Sequence, residues 1–155
     1  MLKEKIINKA TGILTYGITP PKRHTSPEKI EVLSHKHMER ISQLDIDGLI
    51  LYDVQNEIDR VEEERPFPYL PTIDPYLYSE EYLHKLRIPK IIYRCAVNDT
   101  ERELSEWISS DLQNDRFSVL VGASSGKQKV NMTLTQAYEL SMKLNKRLIL
   151  GGVVI

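Results

Sequence analysis

Residues 16–24 read Tyr16-Gly17-Ile18-Thr19-Pro20-Pro21-Lys22-Arg23-His24. The apolar run that opens at Ile13 stops at the two prolines, and three basic or titratable side chains follow at once. Proline lacks the N–H that a strand ladder needs, so a buried strand ends here for a chemical reason. Just beyond, Ser26-Pro27-Glu28 has the form of a helix N-cap, a first-turn proline and an early acid. Ile30, Leu33, His37, Ile41 and Leu44 then recur at helical spacing. Strand, turn and helix together make one β-α unit.

The unit repeats. Apolar runs at 13–18, 48–54, 90–97, 117–122 and 147–155 are nearly continuous rather than alternating, which predicts strands buried on both faces. Thr100-x-x-Glu103 and Thr133-x-x-Gln136 are capping boxes, each ahead of a helical stripe: Leu104, Trp107, Ile108 and Leu112, then Ala137, Leu140 and Leu144. A further helix is predicted over 79–86, with Tyr82, Leu83 and Leu86 inward. Alternating strands and helices imply an α/β fold with a parallel sheet and right-handed crossovers. The final segment, Leu150-Gly151-Gly152-Val153-Val154-Ile155, is apolar with no helix after it. Residues 1–155 are therefore expected to form one α/β domain, the first five strands of a larger (β/α)₈ barrel. The alternative is a five-stranded flavodoxin-like domain. An open edge at 147–155 predicts self-association, hence a homo-oligomer.

Composition narrows the partners. With 21 Lys+Arg against 22 Asp+Glu the net charge is −1, so no basic field draws the chain to nucleic acid or an anionic membrane, and a small-molecule partner is expected. No run approaches the ~18 apolar residues of a membrane span. The first residues lack the core of a signal peptide, and the single cysteine, Cys95, excludes an internal disulfide framework. A cytoplasmic location is the expectation.

In either α/β architecture ligands meet the loops at the carboxyl ends of the strands. Asp53 ends the second strand, and with Glu57 it could form a carboxylate pair for acid-base work or a hard metal site; the plainer reading makes 57–64 a solvated charged turn. Tyr69, Tyr76 and Tyr78 could stack on a planar ligand or simply pack on the scaffold. Gly122-Ala123-Ser124-Ser125-Gly126-Lys127-Gln128 approaches a phosphate loop, but has one residue too few between its glycines and Gln128 in place of the hydroxyl residue. Small residues with Lys127 could still admit a cofactor's phosphate or ribityl chain. His35 and His37 point to different faces of their helix and cannot chelate together, so no metal site is expected there. Cys95 reads as a small buried apolar residue more readily than as a nucleophile.

Taken in order, the strand ends are similar to the front half of the methylenetetrahydrofolate reductase family. The resemblance is carried by Gly17-Ile18-Thr19-Pro20-Pro21-Lys22, by Asp47-Gly48-Leu49-Ile50-Leu51-Tyr52-Asp53, by Ile88-Pro89-Lys90-Ile91-Ile92-Tyr93-Arg94-Cys95 and by Asn98-Asp99-Thr100-Glu101-Arg102-Glu103-Leu104. It implies a (β/α)₈ barrel that binds FAD, takes hydride from NADH or NADPH, and reduces a methylene folate in one-carbon metabolism and methionine biosynthesis. The flavin supplies the difficult chemistry in such a protein, and the barrel supplies position and electrostatics. On this resemblance Tyr52, Tyr93, Gly122, Ala123 and Ser124 are the cofactor-wall candidates, while Lys22 and Lys127 are candidates to meet an anionic substrate. Two positions depart from the family pattern. Its first-strand glutamate falls on Gly17, and its aspartate after the fourth strand falls near Ser124. Asp53 is then the candidate replacement acid. The alternative function is a non-catalytic relative that binds a folate, a flavin or a protein partner in a regulatory role.

Overall fold

The computed structural model describes residues 1–56, 66–110, 116–123 and 129–153. Five parallel strands, β1 (Thr15–Ile18), β2 (Gly48–Leu51), β3 (Lys90–Arg94), β4 (Arg116–Leu120) and β5 (Leu148–Gly151), lie in the order β1-β2-β3-β4-β5. Each of the five apolar runs carries one strand, shorter than the run itself, and β4 begins one residue ahead of its run, at Arg116. The order is sequential, whereas a flavodoxin-like sheet runs 2-1-3-4-5. Right-handed crossovers between successive neighbours place every connecting helix on the same side.

Those helices are α2 (Pro27–Ile41), α3 (Pro75–Tyr82), α4 (Glu101–Ser109) and α5 (Leu134–Leu144); α1 (Leu2–Ile7) precedes the first strand. The register aligns Ile18, Leu51, Ile92, Ser118 and Leu150 in one row across the sheet. That row faces the helices, where Leu49, Leu51, Ile92 and Leu120 pack with Ile30, Ile41, Tyr78, Leu104, Ile108 and Ala137 in one buried core. The opposite row is Gly17, Ile50, Ile91, Phe117 and Ile149. Its members are at most partly buried, although Gly48 and Val119 on the same face are buried, so the expectation of burial on both faces is met fully only on the helix side.

At the strand starts this second face is plugged by α1, which sequence periodicity does not reveal. Leu2 is buried and packs over Gly48, where an added Cβ would sit 3.0 Å from the leucine and 3.3 Å from Ile91. Lys5 ion-pairs Asp47, whose other oxygen accepts the Leu14 N–H at 3.0 Å.

Local chemistry sets the helix boundaries. Thr100 and Thr133 both close the capping boxes the sequence announces. Helix α3 starts earlier than expected, because Asp74 accepts the Tyr76 and Leu77 N–H groups ahead of Pro75, and it stops at Tyr82. In α2 the inward stripe runs through Ser34 and Met38, while Leu33 and Leu44 are exposed. His37 meets the Tyr78 hydroxyl at 2.9 Å; burial, then Tyr82, hold that phenol's pKa up to about 12.

Helix α4 has no basic residue in its last turn, and a strand supplies the missing charge. Arg116 of β4, only 5% exposed, donates to the Trp107 and Ile108 carbonyls at 3.0 and 3.4 Å and to Ser110 Oγ at 3.0 Å. Its guanidinium lies 4.2 Å from the Trp107 ring and 4.7 Å from the Tyr76 ring. Asn145, after α5, also donates to the Ile108 carbonyl, at 3.2 Å. Replacing Arg116 by Met keeps much of the stem and removes the donors, which should cost about 2–4 kcal/mol because buried carbonyls at a helix end lose charged partners. A urea titration followed by Trp107 fluorescence checks this.

Candidate functional site

The carboxyl ends of β1, β2 and β3 meet at a rim stitched by backbone hydrogen bonds. Arg23 N–H donates to the Pro71 carbonyl at 2.9 Å, Ile73 N–H to the Pro21 carbonyl at 2.9 Å, and Thr72 N–H to the Val54 carbonyl at 3.1 Å. Lys22 and Thr72 form an isolated antiparallel bridge. The Pro-Pro turn is therefore a fixed edge. Lys22 is exposed on it, so the backbone at this position holds the rim together while the ammonium faces solvent.

On the sheet face away from the helices, Tyr52 follows the last residue of β2, and its N–H continues the ladder to the Ile18 carbonyl at 3.0 Å. Its ring meets Tyr93 edge to face, with centroids 5.1 Å apart. It also lies against Gly17, where an added Cβ would come within 2.5 Å of Cε2 and 2.9 Å of the phenol oxygen. The position expected to hold the family acid is thus covered by an aromatic ring. Tyr52 remains 40% exposed, and across the sheet Tyr93 aligns with Val119 and Gly151. Burial and then Tyr52 raise the Tyr93 pKa, so Tyr93 is a neutral phenol near neutral pH.

Asp53 occupies a different place. Its carboxylate accepts the Cys95 N–H at 2.8 Å and Gln55 Nε2 at 2.5 Å, inside a cleft of about 130 Å³ that Arg23, Thr72, Asp74, Arg94 and Asp99 also line. Burial pushes its pKa up, against the opposing effects of the Cys95 N–H, the Arg94 charge and Gln55. Arg94 is engaged elsewhere. It donates to Asp99 through Nε at 2.8 Å and Nη2 at 2.7 Å, and through Nη1 to Asp74, the same residue that caps α3. Burial works against the Arg94 charge, but Asp99, Asp74 and Asp53 outweigh it and raise its pKa. Thr72 is 4% exposed, and its Oγ1 has no hydrogen-bond partner among the described residues.

The remaining candidates divide. Tyr78 is fully buried against His37, and Tyr76 packs on Trp107 and Arg116, so neither is placed to stack on a ligand; Tyr69 is 61% exposed. Gly122 and Ala123 lie beyond β4, and an added Cβ on Gly122 would be 3.7 Å from Leu134. Ser124, Lys127 and Glu57 lie outside the described residues. Cys95 is buried, as expected of a small apolar residue. Among the described residues no three His, Cys, Asp or Glu side chains gather as a metal site, and no helix is long and apolar enough to cross a membrane. Sequence reasoning passed over Thr72, Asp74, Arg94 and Asp99. The signals at hand were the Asp74-Pro75 cap and the acid ahead of the Thr100 box.

One solved structure is similar over 98% of this chain, at 47% sequence identity and a TM-score of 0.82. It is an uncharacterized protein from Clostridium thermocellum that binds two copies of 5-methyl-5,6,7,8-tetrahydrofolic acid. The match takes in 47% of that protein, so this chain spans about half its length. No family model and no curated protein matches.

Two substitutions probe the rim without a ligand. Gly17→Ala should displace Tyr52 from its place against β1 and cost about 1–3 kcal/mol, the usual range for overpacking, with a changed near-ultraviolet circular dichroism from the tyrosine pair. Asp53→Asn acts through charge. A carboxylate whose folded pKa is raised loses folding stability as pH climbs from its ordinary value of 3.8 through the folded one. The asparagine still accepts the Cys95 N–H, and Gln55 turns its amide to match. Thermal midpoints should therefore be higher than wild type at pH 7, with the gain shrinking as pH falls toward 4.

Proposed function

We propose that this chain forms part of a protein that binds a reduced folate, of the kind the Clostridium thermocellum protein binds, and that it does so without reducing it. The carrying observation is the 47% identity over nearly the whole chain to a protein that binds 5-methyltetrahydrofolate. The geometry supports the same ligand class. A neutral bicyclic ring needs a flat apolar wall, and the Tyr52 and Tyr93 rings lie on the sheet face that the four crossover helices leave uncovered.

Reduction needs an acid over the folate ring, and this rim is poorly made to supply one. Gly17 has no side chain, and the space beside it is filled by the Tyr52 ring, which leaves no carboxyl group there. Asp53 is a hydrogen-bonded carboxylate in the neighbouring cleft, which neither Tyr52 nor Tyr93 lines. Binding alone, as carrier, sensor or regulator of one-carbon supply, is the reading that uses these groups as they stand. The resemblance to methylenetetrahydrofolate reductases is then one of scaffold and ligand, with the chemistry altered. In that reading the chain is the front part of a (β/α)₈ barrel, and Lys22, exposed on the rim, is available to the glutamate tail of the folate.

Thermal unfolding with 5-methyltetrahydrofolate and, separately, with FAD tests the proposal. A ligand at a hundredfold excess over its Kd adds about 2.7 kcal/mol of stability, or roughly 5–10 °C in midpoint for a chain of this size. The folate should produce that shift and FAD should not. A shift with FAD and none with the folate would reverse the reading in favour of a flavoenzyme.

A further inference from the structure

The cleft between the ends of β2 and β3 holds two buried polar groups whose capacity the fold leaves partly unused. A carboxylate offers about four lone-pair positions, and among the described residues Asp53 accepts two hydrogen bonds and pairs with no cation. The nearest guanidinium, Arg94, spends its donors on Asp99 and Asp74. Thr72 lines the same cleft, and its buried hydroxyl has no partner among the described residues. Buried polar atoms are nearly always satisfied, so one that is not, on the wall of a cleft, points to a group supplied from outside. The stitching of the rim holds Thr72 in place, because its backbone is tied to Val54 and bridged to Lys22.

The occupant is constrained by size and by donor pattern. A volume of about 130 Å³ corresponds to roughly four waters, enough for one edge of a bicyclic ring and too little for the whole. Two free acceptor positions on one carboxylate suit a planar group with two parallel N–H donors, and the hydroxyl suits an acceptor beside them. The 2-amino-4-oxopyrimidine end of a reduced pterin has that edge.

We infer that the Asp53–Thr72 cleft is the subsite for the aminopyrimidinone edge of the folate, with Asp53 accepting from the ring N–H and the 2-amino group and Thr72 donating to a ring acceptor. The inference rests on the folate reading and goes beyond it by naming the residues that tell a pterin from another flat ring.

Calorimetric titration of wild type, Asp53→Asn and Thr72→Val with 5-methyltetrahydrofolate and with its 2-desamino-2-methyl analogue tests it. Wild type should bind the analogue about 10–100-fold more weakly, the usual penalty when a site built to accept N–H groups loses them. Asp53→Asn should weaken 5-methyltetrahydrofolate by a similar factor and leave the analogue unchanged, so the two losses do not add. Thr72→Val removes a hydroxyl the fold does not use, so the variant should fold as wild type and bind both ligands several-fold more weakly. Equal wild-type affinity for the two ligands, or wild-type affinity in either variant, overturns the assignment while leaving folate binding intact. Failure of wild type to bind either ligand overturns the folate reading and this subsite with it.

Discussion

The rim of this sheet is organised around one guanidinium. Arg94 leaves the end of β3 and engages two carboxylates from different connections: Asp99, ahead of the Thr100 capping box, and Asp74, the N-cap of α3. Two helices thus start where one side chain allows them to start. A planar, permanently charged fork suits this task, since a lysine would offer a single point charge with no fixed geometry. The position also matters for Asp53. By taking up Asp74 and Asp99, Arg94 leaves the third carboxylate of the cleft near a positive charge, held by the Cys95 N–H and Gln55 and in no ion pair among the described residues. Structural ion pairs and an uncommitted acid are arranged by the same residue.

Much of the architecture was legible in the order of elements. Apolar runs bounded by Pro20-Pro21, capping boxes at Thr100 and Thr133, and the Ser26-Pro27 start are local signals, and local signals survive in a linear reading. What failed was what depends on distant neighbours. Leu33 sits at helical spacing but faces solvent, because the angle at which α2 meets the sheet favours Ser34 and Met38. Helix α1 is too short to show a period, and distant partners give it a place, with Leu2 over Gly48 and Lys5 on Asp47.

The site was legible in part for the same reason. Strand ends could be located, so Tyr52, Tyr93 and Asp53 were singled out, and the structure places the two tyrosines together. Of the two readings open for Tyr76 and Tyr78, packing on the scaffold is the one the structure shows, with Arg116 against Tyr76 and His37 against Tyr78. Thr72 carries no motif at all. Its importance comes from a hydroxyl that is buried and unmatched, which only three dimensions can show.

The contact of Tyr52 with Gly17 also bears on how such a rim can change over time. An acidic side chain at position 17 and a tyrosine at position 52 compete for one volume, so neither substitution is neutral in the presence of the other. A lineage that exchanges the glycine and the tyrosine for an acid and a smaller residue must therefore change the two positions in a particular order. The tyrosine has to shrink before the acid can enter, and the glycine has to come before the tyrosine can. Two residues far apart in the chain are thus tied to one order of change.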